Sequence, residues 1–294
     1  VRTIAKEGAR NHGLLNVKPS EFLALPITLP PLAEQRKIAA ILSSVDDAIE
    51  ATQSVIEQLQ VVKKAMMAEL LTRGLPGRHT RFKQTEIGEV PEGWQITQLR
   101  ACAERITDGT HQSPKFTETG VPFLLVKSIS SGHVKWSDTN FVSDETYADL
   151  TRNWRPKQGD VLYTAVGATY GVAVDVDFDK PFTFQRHIAH IRPGTSLRSG
   201  FLAHALNSPI GRQQADKAAV GNAQPTVTLK SLGQFILPVP PLNEQQEIEM
   251  AINSVVQRLG VEVAKLTALN ELKSALSSAL LTGEIRVQPD EASP

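Results

Sequence analysis

The ten residues LPPLAEQRKI at 29–38 return as VPPLNEQQEI at 239–248, with six of the ten positions identical. The 210-residue offset continues without a gap for about 40 residues downstream. Leu59 falls on Leu269, Lys63 on Lys273, and Leu70-Leu71-Thr72 on Leu280-Leu281-Thr282. Upstream, Val17 falls on Val227 and Ile27 on Leu237. Such a repeat fixes the outline of the chain, because two stretches with one pattern are expected to fold alike.

Both copies read as long helices. Residues 33–72 hold neither proline nor glycine. Ile38, Val45, Leu59 and Met66 share one heptad position, interrupted by Thr52. Ile41, Ala48, Val55 and Val62 fill a second, and Leu42, Ile49, Ile56 and Leu70 widen the stripe. The second copy places Ile248, Val255, Leu269 and Leu276 in the first position, flanked by Ile252, Leu259, Leu266 and Leu280. Arg258, Glu262 and Lys265 make that seam less regular. Sustained heptads predict a coiled coil. At 1.5 Å per residue each helix is about 60 Å long.

The doubled Pro-Pro has a physical role in this reading. Proline cannot continue a helix interior, but it leads rigidly into a first turn. Asn243 is the expected N-cap of the second helix, whereas Ala33 is a poor one. Glu34 and Glu244 then fall in first turns, where the helix dipole favours an anion. Gly74 and Gly283 permit the stops.

Between the helices the pattern changes. Residues 75–90 read as a Gly- and Pro-punctuated linker. From PEGW at 91–94 the chain alternates short strands and loops, with β-like runs at 121–127, 160–166, 170–176 and 187–193. Gly167-Ala168-Thr169 turns one strand into the next, residues 143–150 form a short helix capped by Ser143, and 199–219 form one or two helices broken near Pro209. The predicted fold class is α+β: one mixed α/β domain plus two long helices.

Catalytic motifs are scarce. The chain has no G-x-x-x-x-G-K-[ST], H-E-x-x-H, G-x-S-x-G or N-P-P-[YF]. Glu271-Leu272-Lys273 resembles part of a nuclease E-x-K, but it falls inside the second heptad array. His187 and His190, three apart on a predicted strand, point to opposite faces and do not pair as metal ligands. The single Cys102 excludes an internal disulfide and fits a reducing cytoplasm. No apolar run is long enough for a membrane span. The first residue is Val1, as in a fragment or a GTG start read literally.

Three polar loops of the middle domain look more useful. The first, ITDGTHQSPK at 106–115, offers Asp108, Thr110, His111, Gln112 and Lys115. The second, TFQRHI at 183–188, sets Gln185 beside Arg186. The third, GNAQPT at 221–226, offers Asn222 and Gln224. Glutamine and arginine are suited to adenine and guanine edges. Lys127, Thr169 and Tyr170 complete the candidate set for nucleic-acid contact. Composition alone does not point there. Residues 78–232 carry 18 basic against 15 acidic side chains, a small surplus for a phosphate binder.

The motifs together carry a resemblance. PEGW at 91–94, DGTHQSP at 108–114 and GVPFLLVKSI at 120–129 are followed by PKQGDVLYTAVGATYG at 156–171. QRHIAHIRP at 185–193, GNAQPTVTLKSL at 221–232 and PPLNEQ at 241–246 complete the series. In these phrases the chain resembles the specificity subunit of type I restriction-modification enzymes, over nearly its whole length. The resemblance implies a target-recognition domain for double-stranded DNA, with two helices packed as an antiparallel coiled-coil spacer. It also implies modification subunits and a restriction/translocase subunit as partners. No catalytic residue, metal or cofactor is expected here, since the methyl donor and ATP belong to those partners.

On that basis residues 1–28 are the end of a first recognition domain, with VKPSEFLALPI at 17–27 matching VTLKSLGQFIL at 227–237. Residues 29–74 are the first spacer helix, 75–90 a linker, and 91–240 the recognition domain. Residues 241–284 are the second helix and 285–294 a disordered tail. Ile38, Val45, Leu59, Met66, Ile248, Val255, Leu269 and Leu276 are the expected helix-pair or partner positions. With one recognition domain and two helices, a homodimer is a further expectation. The alternatives are an atypical restriction endonuclease or methyltransferase component and a structural coiled-coil adaptor.

Overall fold

The computed structural model describes residues 6–7, 15–16, 18–26 and 29–288. Two compact units emerge, residues 1–54 with 264–294, and residues 55–263. Along the chain, β1 (Lys6–Glu7) pairs with β2 (Leu15–Asn16), followed by α1 (Pro19–Leu23) and the long α2 (Leu32–Arg73). Next come β3 (Phe82–Thr85), β4 (Gly88–Pro91), β5 (Gln95–Gln98), α3 (Leu99–Cys102) and β6 (Ala103–Asp108). They lead to β7 (Val121–Leu124), α4 (Val126–Ile129), β8 (Asn140–Val142), α5 (Asp144–Leu150) and β9 (Val161–Thr164). Then follow β10 (Ala173–Asp175), β11 (Thr183–Phe184), β12 (Ile188–Pro193), α6 (Ser199–Asn207) and α7 (Pro209–Ala218). Last are α8 (Leu229–Gly233), β13 (Ile236–Val239) and the second long helix α9 (Leu242–Thr282).

The repeat extends to small elements. Helix α1 at 19–23 and helix α8 at 229–233 share the 210-residue offset. The matches proposed for Val17 and Ile27 lie outside the described residues. Both long helices stop at glycines in the left-handed region, Gly74 at φ 78° and Gly283 at φ 77°. A side chain would be strained there.

In the first unit, the seam of α2 buries Ile38 and Val45 at heptad spacing, and Thr52 follows on the same line. Thr52 is no interruption, because its hydroxyl donates to the Ala48 carbonyl at 2.7 Å and so satisfies itself within the helix. Lys273 of α9 meets Asp46 of α2 at 2.5 Å, and Arg286 meets Glu34 at 2.6 Å. Numbers rise on one helix as they fall on the other, so the pair is antiparallel. Leu269 and Leu276 are half-buried.

The second unit holds the sheets. Four antiparallel strands run in the order β10-β9-β12-β6, and three in the order β11-β7-β8, with β11 parallel to β7. Strand β13 returns to pair with β5 beside the PEGW segment. One core joins Val161, Tyr163, Ala189 and Ile191 of the sheet to Phe201 and Leu202 of α6. Met67, Leu70 and Leu71 of α2 and Ile248 and Ile252 of α9 pack in the same cluster. Leu59, Met66 and Val255 are half-buried, and Ile248 is fully buried.

Several expectations need correction. The linker at 75–90 is structured: β3 and β4 form an antiparallel hairpin, and Lys83 Nζ donates to the carbonyls of Glu92 and Trp94. Arg73 at the end of α2 pairs with Glu89 and lies 4.6 Å over the Phe82 ring. Asn243 is not an N-cap, because α9 begins one residue earlier at Leu242. The β-like run 121–127 stops at Leu124 and turns into α4. His187 precedes β12 rather than lying on it. The tail is ordered at its start, where Arg286 and the Val287 N–H bind Glu34; residues 289–294 lie outside the described residues.

The doubled phrase makes the same bonds twice. Gln35 Nε2 donates to the Pro30 carbonyl and Gln245 Nε2 to the Pro240 carbonyl, both at 2.8 Å. The preceding glutamate is buried in each copy, Glu34 4% and Glu244 3% exposed. Each is clasped by a residue just past the end of the other helix. Arg286 donates to both oxygens of Glu34, holding its pKa below the ordinary carboxylate value. His79 Nε2 lies 2.6 Å from Glu244 Oε1, and the Trp94 indole N–H donates to Oε2 at 3.1 Å. Glu244→Ala is expected to leave that buried indole N–H unpaired and to cost about 1–3 kcal/mol in urea unfolding, with Glu244→Gln losing less.

Candidate nucleic-acid interface

Strand register places the candidate loops. Asp108 at the end of β6 pairs with Ala189 near the start of β12, and Thr164 at the end of β9 pairs with Ile188. Ala173 at the start of β10 pairs with Tyr163. Loops 109–115, 185–187 and 165–172 therefore all leave the same end of the four-stranded sheet.

The first two loops are joined directly. Thr110 forms a parallel bridge with Gln185. Its N–H donates to the Phe184 carbonyl at 3.2 Å, and the Arg186 N–H donates to the Thr110 carbonyl at 3.0 Å. Gly109 makes this approach possible, because a Cβ there would stand 2.1 Å from the Phe184 oxygen. The loop also braces itself, since His111 Nε2 lies 3.0 Å from Asp108 Oδ2 and the Thr110 hydroxyl donates to the Gln112 carbonyl. The Gln185 N–H donates to the Leu124 carbonyl, which brings in α4 and its exposed Lys127.

The third loop, at 221–226, joins on the other side. Val166 bridges Thr226, and the Gly167 N–H donates to the Pro225 carbonyl at 2.9 Å. Ala165 links the groups, donating to the His187 carbonyl and accepting from the Val227 N–H. The structure thus gathers the loops that sequence had left 30 to 110 residues apart. His111, Gln112, Lys115, Lys127, Thr169, Arg186, Asn222 and Gln224 are exposed, and Asp108, Thr110 and Gln185 half-buried. Tyr170 is the exception in chemistry. Its hydroxyl donates to Asp216 at 2.8 Å and Arg212 covers its ring at 4.5 Å, so it braces its loop against α7.

Two carboxylates sit at the other end of the sheet, the buried Asp160 and the half-buried Asp175, and neither was singled out in sequence. Asp160 accepts from His190 Nε2 at 2.7 Å, from Arg192 Nε at 2.8 Å and from the Lys157 N–H at 2.8 Å. Burial opposes its charge, yet the bonds from Arg192 and His190 outweigh burial and hold the carboxyl at about 2. His190 lies 4.2 Å from the Trp154 ring, and burial pushes its imidazole down. Asp175, the last residue of β10, is the reverse case. Burial, with the charges of Glu249 and Asp177, pushes it up to about 6, and its Oδ1 has no partner among the described residues. The only sequence signal for either was an aspartate bordering an apolar strand.

A profile described as the type I restriction modification DNA specificity domain matches residues 8–61 and 91–273, which is most of the chain. The chain belongs to this family. Among curated relatives, it is 28% identical to the type I restriction enzyme MjaVIII specificity subunit of Methanocaldococcus jannaschii, over 96% of its own length and 67% of that protein's. It is 24% identical to the EcoBI specificity subunit of Escherichia coli, covering 89% of itself and 59% of the relative. The chain thus spans roughly three fifths to two thirds of these family members. The crystal structure of an HsdS subunit from Thermoanaerobacter tengcongensis shares the fold, with TM-score 0.53, 21% identity and coverage of 94% and 65%.

The two carboxylates predict opposite pH behaviour. Asp160 has a folded pKa below its unfolded one, so its stabilisation is present above about pH 4 and is lost as pH falls toward 2. The wild type should exceed Asp160→Asn by about 2 kcal/mol at pH 5, and melting curves should show the gap closing with acid. Asp175 has a raised folded pKa, so its stabilisation is lost as pH rises through about 6. Asp175→Asn should match the wild type near pH 4 and melt higher above pH 6.

Proposed function

We propose that this chain reads one half-site of a split DNA target for a type I restriction-modification complex. The observation that carries the reading is the convergence of loops 108–115, 185–187 and 221–226 at one end of the β10-β9-β12-β6 sheet. Side-chain amides and an arginine projecting together from a rigid sheet edge suit base edges in a major groove. The Asp108, Thr110 and Gln185 backbones are fixed by ladder bonds, so register errors would be costly, as sequence readout requires. Exposed Lys115, Lys127 and Arg186 supply phosphate or guanine contacts.

In this reading residues 91–240 are the recognition domain and α2 and α9 are its spacer helices. The methyl donor and ATP act on partner modification and restriction/translocase subunits, and this chain performs no chemistry. It works in the cytoplasm, where DNA and partners are found. Two copies would provide two reading domains and recognise a symmetric site.

Arg186→Ala should weaken binding to the cognate duplex by about 1–3 kcal/mol and relax preference at one position, measured by fluorescence anisotropy on the assembled complex. Equal affinity for every duplex in the unaltered complex would sink the reading. Unchanged affinity and preference in the variant would remove Arg186 alone.

A further inference from the structure

The second unit contains a groove of about 640 Å³ that the loops described above do not use. Its walls come from α2 (Gln60, Lys63, Lys64, Met67), from the turn between α6 and α7 (Asn207, Ser208, Pro209) and from α7 (Arg212, Asp216), with Leu259 of α9 closing it. Three cations face it and one anion. The anion, Asp216, is already engaged by Arg212 at 2.8 Å and by the Tyr170 hydroxyl.

Arg212 connects this groove to the reading loops. It donates to the Tyr170 carbonyl at 2.7 Å and stacks on the Tyr170 ring, and Tyr170 belongs to the 165–172 loop. Lys63 and Lys64 therefore stand one arginine beyond the reading edge, on a different element of the chain.

The repeat shows what is unusual about Lys63. Its equivalent 210 residues on is Lys273, which is neutralised by Asp46 at 2.5 Å. The position equivalent to Asp46 is Val256, which packs against the core cluster instead. Lys63 is half-buried, Lys64 is exposed, and neither has a carboxylate partner among the described residues. Holding an ammonium half-desolvated with no counter-charge is unfavourable unless an anion arrives. A duplex lying across the loops offers a regular row of phosphates, and the recognition domain is itself poor in surplus cations.

We propose that the groove lined by Lys63, Lys64 and Arg212 is a phosphate-binding extension of the reading surface, holding the DNA backbone that flanks the bases read by the loops. This rests on the reading above. It assigns α2 a second role, so that the helix touches the DNA as well as carrying the domain.

The test is a salt titration of the assembled complex, comparing the wild type with Lys63→Gln/Lys64→Gln. Each is measured on a duplex selected from a randomised pool, on a scrambled duplex, and on selected duplexes trimmed on either flank. Losing two phosphate contacts should make the slope of log K against log salt shallower by about 1.8 on selected and scrambled DNA alike. Melting temperature and site preference should not change, Lys63→Arg/Lys64→Arg should restore the slope, and trimming one flank should abolish the difference. An unchanged slope overturns the proposal, and an unchanged slope with weaker binding of the modification subunit gives the groove to a protein instead. The reading itself is tested separately by the wild type's selected-to-scrambled ratio, because the slope is measurable even on DNA bound without preference.

Discussion

A buried carboxylate organises the recognition domain. Glu244 lies in the first turn of α9, closed off from water, and its two oxygens are shared between the Trp94 indole and the His79 ring. A buried acid without partners is costly, and one with both oxygens satisfied fixes the groups that satisfy it. Trp94 belongs to the segment that opens the recognition domain, and His79 lies just beyond α2. One side chain therefore ties the domain's beginning, the end of the first helix and the start of the second to a common point. Gly74 supports this closure, since a Cβ there would stand 2.8 Å from Glu244 Oε1.

The same device recurs at the other copy with different hands. Glu34 is held by Arg286 and the Val287 N–H, whereas Glu244 is held by a histidine and an indole. The glutamine that follows each glutamate bonds back to the first proline of its own phrase. PPLxEQ is thus a compact joint: the prolines set the entry, the glutamine locks it, and the glutamate fastens it to whatever follows the opposite helix. Such a joint suits a chain that must present a reading surface in a fixed orientation. Specificity depends on side chains meeting base edges within fractions of an ångström.

Rigidity at one end of the sheet supports exposure at the other. Asp160, just before β9, accepts from His190 and Arg192 of β12, and the exposed loops spring from the opposite ends of those strands. The loops themselves are tied by backbone bonds, which leaves their side chains free to vary without altering the frame. This division explains why the residues proposed to read DNA carry little signature of their own. Gln185 and Arg186 are ordinary residues whose meaning comes from the bridge between Thr110 and Gln185.

The sequence by itself determined the repeat and the two long helices, while of the second heptad position Val55 and Val62 are exposed. The repeat and the helices depend on local periodicity and on the places where proline and glycine permit a start or a stop. It also settled the family, through phrases such as PEGW and GDVLYTAVGATYG, and it marked the polar loops. It misread 75–90, because a short hairpin anchored by Lys83 and Arg73 looks like a polar linker until its tertiary partners are known. Thr52 looked like a flaw in the seam until its hydroxyl found a carbonyl within its own helix. Only the tertiary structure brought 108–115, 185–187 and 221–226 to one end of the sheet, tied Tyr170's hydroxyl to Asp216, and set Lys63 in one groove with Arg212. The physical reason is that these contacts depend on strand register and on helix packing across long separations, neither of which leaves a periodic trace in the chain.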